Sequence, residues 1–471
     1  MFEPVAPLDT PPSPALGRAA PPELDGSASV PPQPKTIRDT GLDRPLVLAL
    51  LAKAINELGR AHLPVLAGKL KFSINVLREA LQLMMADHLV VVSWRGESDI
   101  DVQYQLTEAG KGYAASCLAL CRYVGPAPVT LEAFRAVLAR DVMRHAEAGR
   151  SGAFELSNAF AEDGISASLS AQLGAALYSG RAILLHGPSG GGKSTLARKL
   201  GRLLQGVVRV PHTLLLGHQI VQFYDPLLHR APPQLHERQF DERGSDMRWM
   251  VCQRPVVQVG AELSREMLDL RFDAAIGIYH APPQFQASGG LFVIDDLGRQ
   301  RMPAAELLNR LTGPLDDGVD VLTLRGGHAE SVPFNVTLVF ATNLAPQAVL
   351  DEPLLRRIGY KIHLGGLSEA GYRALLRRQC DALRVAYEEA AADHLLHHLH
   401  VSAARPLLAS YPGELLGRII DFASFSGVAP RLTVATLEQA WNSVFDCRAP
   451  VAANNPLAAP PHGAFLSGER T

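Results

Sequence analysis

Apolar positions along this chain switch between two periods. Leu46-Val47-Leu48-Ala49-Leu50-Leu51-Ala52-Lys53-Ala54-Ile55 spaces its apolar side chains as one face of a helix does, and 63–70 predicts a second, shorter helix. Ser73 is placed to cap a third over 74–88, with Leu77, Leu81 and Met84 along one side. An apolar strand follows at 89–94, then a polar turn at Arg95-Gly96-Glu97-Ser98 and a returning strand at 102–106. From about residue 160 short apolar runs alternate with helical stretches: Ala182-Ile183-Leu184-Leu185-His186, Leu291-Phe292-Val293-Ile294, a helix over 304–312, and Val336-Thr337-Leu338-Val339-Phe340. That alternation predicts an α/β domain on a parallel sheet. Helical periodicity then runs from 369 to 445.

The expected organisation is a Pro-rich disordered arm at 1–40, a small domain at 41–125, a helical linker at 126–160, an α/β core at 161–365, a helical lid at 366–448 and a disordered tail at 449–471. The arms are dense in proline (Pro11-Pro12-Ser13-Pro14, Pro31-Pro32-Gln33-Pro34) and poor in large apolar residues. Within the core, 206–288 reads as an insertion of strands and loops near the ligand-binding face. Its His212, His218, His229, His236 and His280 have no cysteine partners and read as surface or capping groups.

Composition narrows little further. The 471 residues are 47% hydrophobic and 20% charged, with a net charge of −2, so nothing at whole-chain level calls for nucleic acid or an anionic membrane. No apolar run approaches the ~20 residues that span a bilayer, and no secretory signal is visible at the N-terminus. Five scattered cysteines (Cys117, Cys121, Cys252, Cys380, Cys447) form no CxxC pair, which fits a reducing, cytoplasmic setting.

The chemistry concentrates in Gly187-Pro188-Ser189-Gly190-Gly191-Gly192-Lys193-Ser194, between the strand ending at His186 and a helix that continues through Thr195. Glycines there let backbone N–H groups converge on phosphate oxygens, and the helix N-terminus adds partial positive charge. Lys193 would reach the β- and γ-phosphates of ATP, and Ser194 would offer a hydroxyl to Mg²⁺. The run ending in Asp295-Asp296 supplies the acidic half: Asp295 for the Mg²⁺ shell, Asp296 to polarise the attacking water.

This order of elements resembles the AAA+ ATPase superfamily over about 160–445, nearest to its MoxR-like and transcription-activator branches. The resemblance implies that Ala341-Thr342-Asn343 ends a strand lying between the P-loop strand and the acidic strand. Asn343 would then be the polar group that orients the water. It implies too that Arg357, with Arg356 close behind, is an arginine finger acting on a neighbouring subunit's site, so that the chain works as a homo-oligomer, a ring and most often a hexamer. Two departures stand out. The acidic pair is Asp-Asp where the family usually has Asp-Glu; a carboxylate one methylene short leaves slow turnover open. Neither Arg418 nor Arg405 matches the lid arginine well.

Residues 41–125, closing with Tyr104-Gln105-Leu106-Thr107-Glu108-Ala109-Gly110, resemble the winged helix-turn-helix of bacterial regulators. Between 41 and 122 there are nine Lys or Arg against eight Asp or Glu, and the hairpin tip sets Glu97, Asp99 and Asp101 against Arg95 alone. An acidic wing suits a phosphate backbone poorly, and the third helix offers only Ser73, Asn75, Arg78 and Gln82 to read bases. Docking to a protein partner, through this unit or the insertion, is therefore expected ahead of DNA binding. The two expected functions are an oligomeric ATPase that remodels or assembles a partner and, as the alternative, an ATP-controlled DNA-binding regulator.

Overall fold

The computed structural model describes residues 30–97, 101–148, 160, 164–232 and 244–445. The expectations placed on residues 1–29 and 449–471, and on Ser98, Asp99, His236 and Cys447, lie outside these.

The centre is a five-stranded sheet, all parallel, in the order Val256–Val259, Leu291–Ile294, Thr337–Thr342, Ile183–His186, Tyr360–His363. The inner strands are apolar and buried along their length, as strands covered on both faces must be. One face carries Leu184, Phe292, Phe340, Leu307 and Leu311; the other carries Ile183, Leu185, Val293, Val339, Leu196 and Leu200. The polar-tipped strand lies between the P-loop strand and the acidic strand, the order that the AAA+ resemblance implies. The chain has that α/β fold.

The expected insertion divides in two. Val256–Val259 is the edge strand of the central sheet, paired in register with the acidic strand, so it belongs to the core. Its apolar run has the length of any buried strand, and only pairing shows which sheet it joins. The remainder builds a second sheet in the order Arg271–Asp273, Ile278–His280, Gln219–Gln222, Thr213–Leu216, Val129–Thr130, beside an antiparallel pair, Val207–Pro211 with Trp249–Gln253. Val129–Thr130 and the helix Leu131–Ala148 come from the stretch expected as a linker. They are built into this sheet, and Phe134 stacks among Phe223, Trp249 and Phe285. On the same helix the buried Asp141 pairs with Arg209 and accepts from its backbone N–H.

Ahead of this lie helices Arg44–Leu58, Leu63–Leu70 and Ile74–Ala86 and a three-stranded antiparallel sheet in the order Arg60–His62, Val102–Leu106, Val90–Arg95. This unit is joined to the insertion. Ile220 and Ile278 share its core, and Arg122 N donates to Ile276 O at 2.9 Å. The disorder expected up to residue 40 is corrected over 30–40. Asp246 N donates to Pro31 O, Gln33 N donates to Gly244 O at 2.7 Å, and Ile37 is buried. Proline lacks a donor but its carbonyl still accepts, and these do.

The C-terminal helices Glu369–Leu383, Tyr411–Ser426 and Val434–Phe445 close on Tyr372, Leu415, Leu416 and Trp441. Among the described residues no helix is long and apolar enough to cross a membrane.

Arg248 clamps three segments together. It pairs with Asp246 at 2.8 Å, both being buried, and its Nη1 donates to Thr40 O and Pro128 O. Arg248→Met strands the Asp246 carboxylate in the interior. The expected loss is about 3–5 kcal/mol, read as a lower thermal midpoint with tryptic cleavage appearing first around 30–45. An unchanged midpoint would contradict the clamp.

Candidate functional site

The P-loop strand delivers the chain to the carboxyl edge of the sheet, where Gly187 takes φ +140°; a Cβ there would stand 2.2 Å from Leu364 O. Gly190 takes φ +82°, with a Cβ 2.6 Å from Ser410 Oγ. Side chains are excluded at both, which leaves the backbone bare at these two turns of the loop. Gly192, also left-handed, leads into the helix Lys193–Arg202, whose first N–H groups have no partner within the helix and favour an anion. Ser189 and Thr195 are exposed, and Ser194 is half-buried in the first turn.

Lys193 is buried, and its ammonium donates to Gly187 O at 2.9 Å and to Pro188 O at 2.7 Å. Burial lowers its pKa, while the carboxylates of Asp295 and Asp296 hold it up. The cation thus lies within electrostatic reach of both acids.

Asp295 and Asp296 leave the acidic strand at the same edge. Asp295 Oδ1 accepts from Asp296 N at 3.0 Å, and Oδ2 accepts from Gln258 Nε2 at 3.0 Å. Asp296 sits at φ +51°, a conformation that costs a residue with a Cβ of order 1 kcal/mol. Gln300 braces it, donating through Nε2 to Asp295 O at 2.8 Å and Asp296 O at 3.1 Å. Asn343 Nδ2 donates to Asp296 Oδ1 at 3.1 Å. Lys193, Asp295, Asp296 and Asn343, far apart in sequence, therefore meet at adjacent strand ends.

Arg356 and Arg357 do not join them. They end the helix Glu352–Arg357 just before Tyr360, which pairs with Ile183 at the opposite edge of the sheet. The loop begins four residues above Ile183, roughly 13 Å along the strand at 3.3 Å per residue. Arg357 Nε donates to Asp316 Oδ2 at 2.9 Å, and Arg356 pairs with Glu352. Neither can serve its own chain's loop.

The lid does touch the loop: Ser410 N donates to Gly190 O at 3.0 Å where the helix Tyr411–Ser426 begins. The first turn of that helix is Tyr411, Pro412, Gly413 and Glu414, with no arginine. Arg418 pairs with Asp421 on its exposed side, and Arg405 lies 4.3 Å over the Phe445 ring. Gln258, Gln300 and Ser410 are not found from sequence, although Gln258 is the one polar residue in Val256-Val257-Gln258-Val259. His186 and His363 also face each other beside Lys193, with ring centroids 5.1 Å apart. Burial, with both His363 and Lys193 adding to it, holds the His186 pKa down.

A family model described as a domain of unknown function (DUF8689) matches residues 368–443, the lid. No curated protein matches the chain. Among solved structures it overlays on NtrX from Brucella abortus in complex with ATP, at 15% identity and a TM-score of 0.37, covering 59% of this chain and 55% of that one. The ADP complex of NtrX overlays at 15% identity and 0.38, covering 75% and 70%. The RuvB Holliday junction branch migration motor of Thermotoga maritima overlays at 18% identity and 0.34, covering 60% and 68%.

Gly187→Ala sets a Cβ against Leu364 O in a backbone region that costs of order 1–3 kcal/mol to occupy. The thermal midpoint should fall while the circular-dichroism signature of the fold remains; a midpoint equal to wild type would show that the loop has another conformation.

Proposed function

We propose that the chain is an AAA+ ATPase that binds and hydrolyses ATP at the edge of the sheet where Lys193, Asp295, Asp296 and Asn343 meet, and that it works as an oligomer on a partner protein. The convergence of those four groups on a glycine-rich loop is the observation that supports this reading. The N–H groups around 190–194 would cradle the β- and γ-phosphates, displacing Gly187 O and Pro188 O from Lys193. The site fits Mg²⁺: Ser194 and Asp295 offer hard oxygen donors beside a phosphate cradle, and the ion, when bound, would neutralise charge on the transferred phosphoryl group. Asp296 would accept the proton of the attacking water, and Asn343, already on Asp296 Oδ1, would fix where that water lies. Gln258 on Oδ2 and the Asp296 backbone N–H on Oδ1 would keep the Asp295 carboxylate aimed, each oxygen retaining a lone pair for the ion's shell.

Arg357 would act on the next subunit's nucleotide. A guanidinium suits this because it is always charged and forks onto phosphate oxygens, and its place at the far edge of its own sheet requires a second copy. The N-terminal unit, read as a winged helix, would recruit the partner together with the insertion on which it is packed. DNA recognition is favoured less. Ser73 is buried as the helix cap, with its Oγ donating to Pro34 O at 2.6 Å, so one of the four base-reading candidates is spent on the fold.

Lys193→Ala should abolish ATP binding in calorimetric titration. Asp296→Ala should keep binding and lower kcat by about 10²–10⁴, the range for removing a general base; normal turnover there would remove Asp296 from the role given to it.

Arg357→Ala and Asp296→Ala proteins, each inactive alone, should regain part of the activity when mixed and allowed to assemble. Strictly additive, negligible activity at every mixing ratio would count against a shared site.

A further inference from the structure

One cavity lies away from the P-loop. About 710 Å³ in volume, it opens at the opposite, amino edge of the central sheet, within the ~300–1,000 Å³ common for small-molecule sites. Its floor is apolar, formed by Leu203, Leu204, Leu315 and Phe334, and the exposed Tyr178 stands at its margin. Arg181, Arg254, Arg356 and Arg357 line it, and among the described residues no aspartate or glutamate does.

Two of these guanidiniums have anions of their own: Arg356 pairs with Glu352 and Arg357 with Asp316. Arg254 does not. Its Nε donates to Gly289 O at 2.6 Å, and among the described residues no carboxylate pairs with it. Burial pushes its pKa down to about 10, the direction expected of a cation placed out of water without a counter-ion. Exposed Arg181, packed across Gly359, lines the same cavity. Arg254 is half-buried, and a cation partly withdrawn from water without a counter-ion gains from an arriving anion. Guanidiniums take phosphate or carboxylate alike. The leucine and phenylalanine floor with an exposed tyrosine adds a flat apolar surface, which suits a planar aromatic body and gives a simple carboxylate nothing to rest on.

We propose that this cavity is a second ligand site that takes a free phosphate-bearing aromatic molecule of the nucleotide class, held through Arg254 and Arg181, separate from the P-loop. The site lies on the chain's other edge and does not depend on hydrolysis at the first. The full-length Lys193→Ala protein, whose P-loop is expected to bind no nucleotide, is the background for the test. Titrated with mant-ADP by fluorescence anisotropy, it should bind about one equivalent per chain, and adding Arg254→Gln or Arg181→Gln should weaken binding tenfold or more. Arg181 is exposed, so Arg181→Gln folds even if Arg254→Gln does not. Affinity that falls as salt is raised would support the guanidinium contacts. Absence of binding to Lys193→Ala up to millimolar mant-ADP overturns the proposal, as does binding unmoved by Arg181→Gln. Binding seen only in protein with an intact P-loop would assign the signal to that loop or to a neighbouring copy's nucleotide and overturns it too.

Discussion

The in-register parallel ladder through Leu291–Ile294, Thr337–Thr342 and Ile183–His186 fixes where every polar group of the candidate site can stand. Ile294 pairs with Phe340 and Phe340 with Leu184, so the three strands leave the sheet side by side, the acidic one two residues before Thr342 and its partner His186. Strands about 4.8 Å apart then bring a lysine, two aspartates and an asparagine within reach of one ligand without any long side chain stretching to it. The ladder is held by apolar packing on both faces. Each buried leucine, isoleucine, valine or phenylalanine contributes roughly 1.5–3 kcal/mol, and none contributes chemistry. A one-residue slip would move Asp296 away from Asn343 and turn Phe340 and Val339 onto the wrong faces.

Against that rigid frame the site carries local strain. Asp296 is held left-handed, Gln300 ties down the two preceding carbonyls, and Asn343 holds the carboxylate. Lys193 meanwhile spends its hydrogen bonds on carbonyls of its own loop. Unfavourable groups held together by neutral neighbours describe a site prepared for a charged ligand. On the proposed function, Asp296, one methylene shorter than the usual glutamate, would make the chemical step rather than binding the weak point.

Much of this was legible in the sequence because it is local. The loop is one contiguous run, and the strand–loop–helix context is fixed by its immediate neighbours. The acidic pair is visible as a sudden end to Leu291-Phe292-Val293-Ile294, and Asn343 follows from its place after the next buried run. What escaped is set by pairing across the chain. Val256–Val259 reads as any short apolar strand until it is seen beside the acidic strand, and Gln258 gains its role only there. The segment 126–148 looks like a connector until Asp141 meets Arg209 and Phe134 enters an aromatic cluster. The first residues of the described chain are rich in proline, which hides how many of their carbonyls the insertion uses. In the lid, the helix that touches the loop opens on Tyr411-Pro412-Gly413-Glu414, so an arginine sought by spacing falls on Arg418, turned toward Asp421.

On the proposed function, the groups gathered at 187–194, Asp295, Asp296 and Asn343 hold and cleave a nucleoside triphosphate. Calorimetric titration of the wild-type chain with ATP, with and without Mg²⁺, followed by single-turnover release of the γ-phosphate, addresses it most directly. The expected result is saturable binding that tightens with Mg²⁺ and phosphate release that goes to completion at a slow rate. No ATP binding at millimolar concentration in the presence of Mg²⁺ would contradict it.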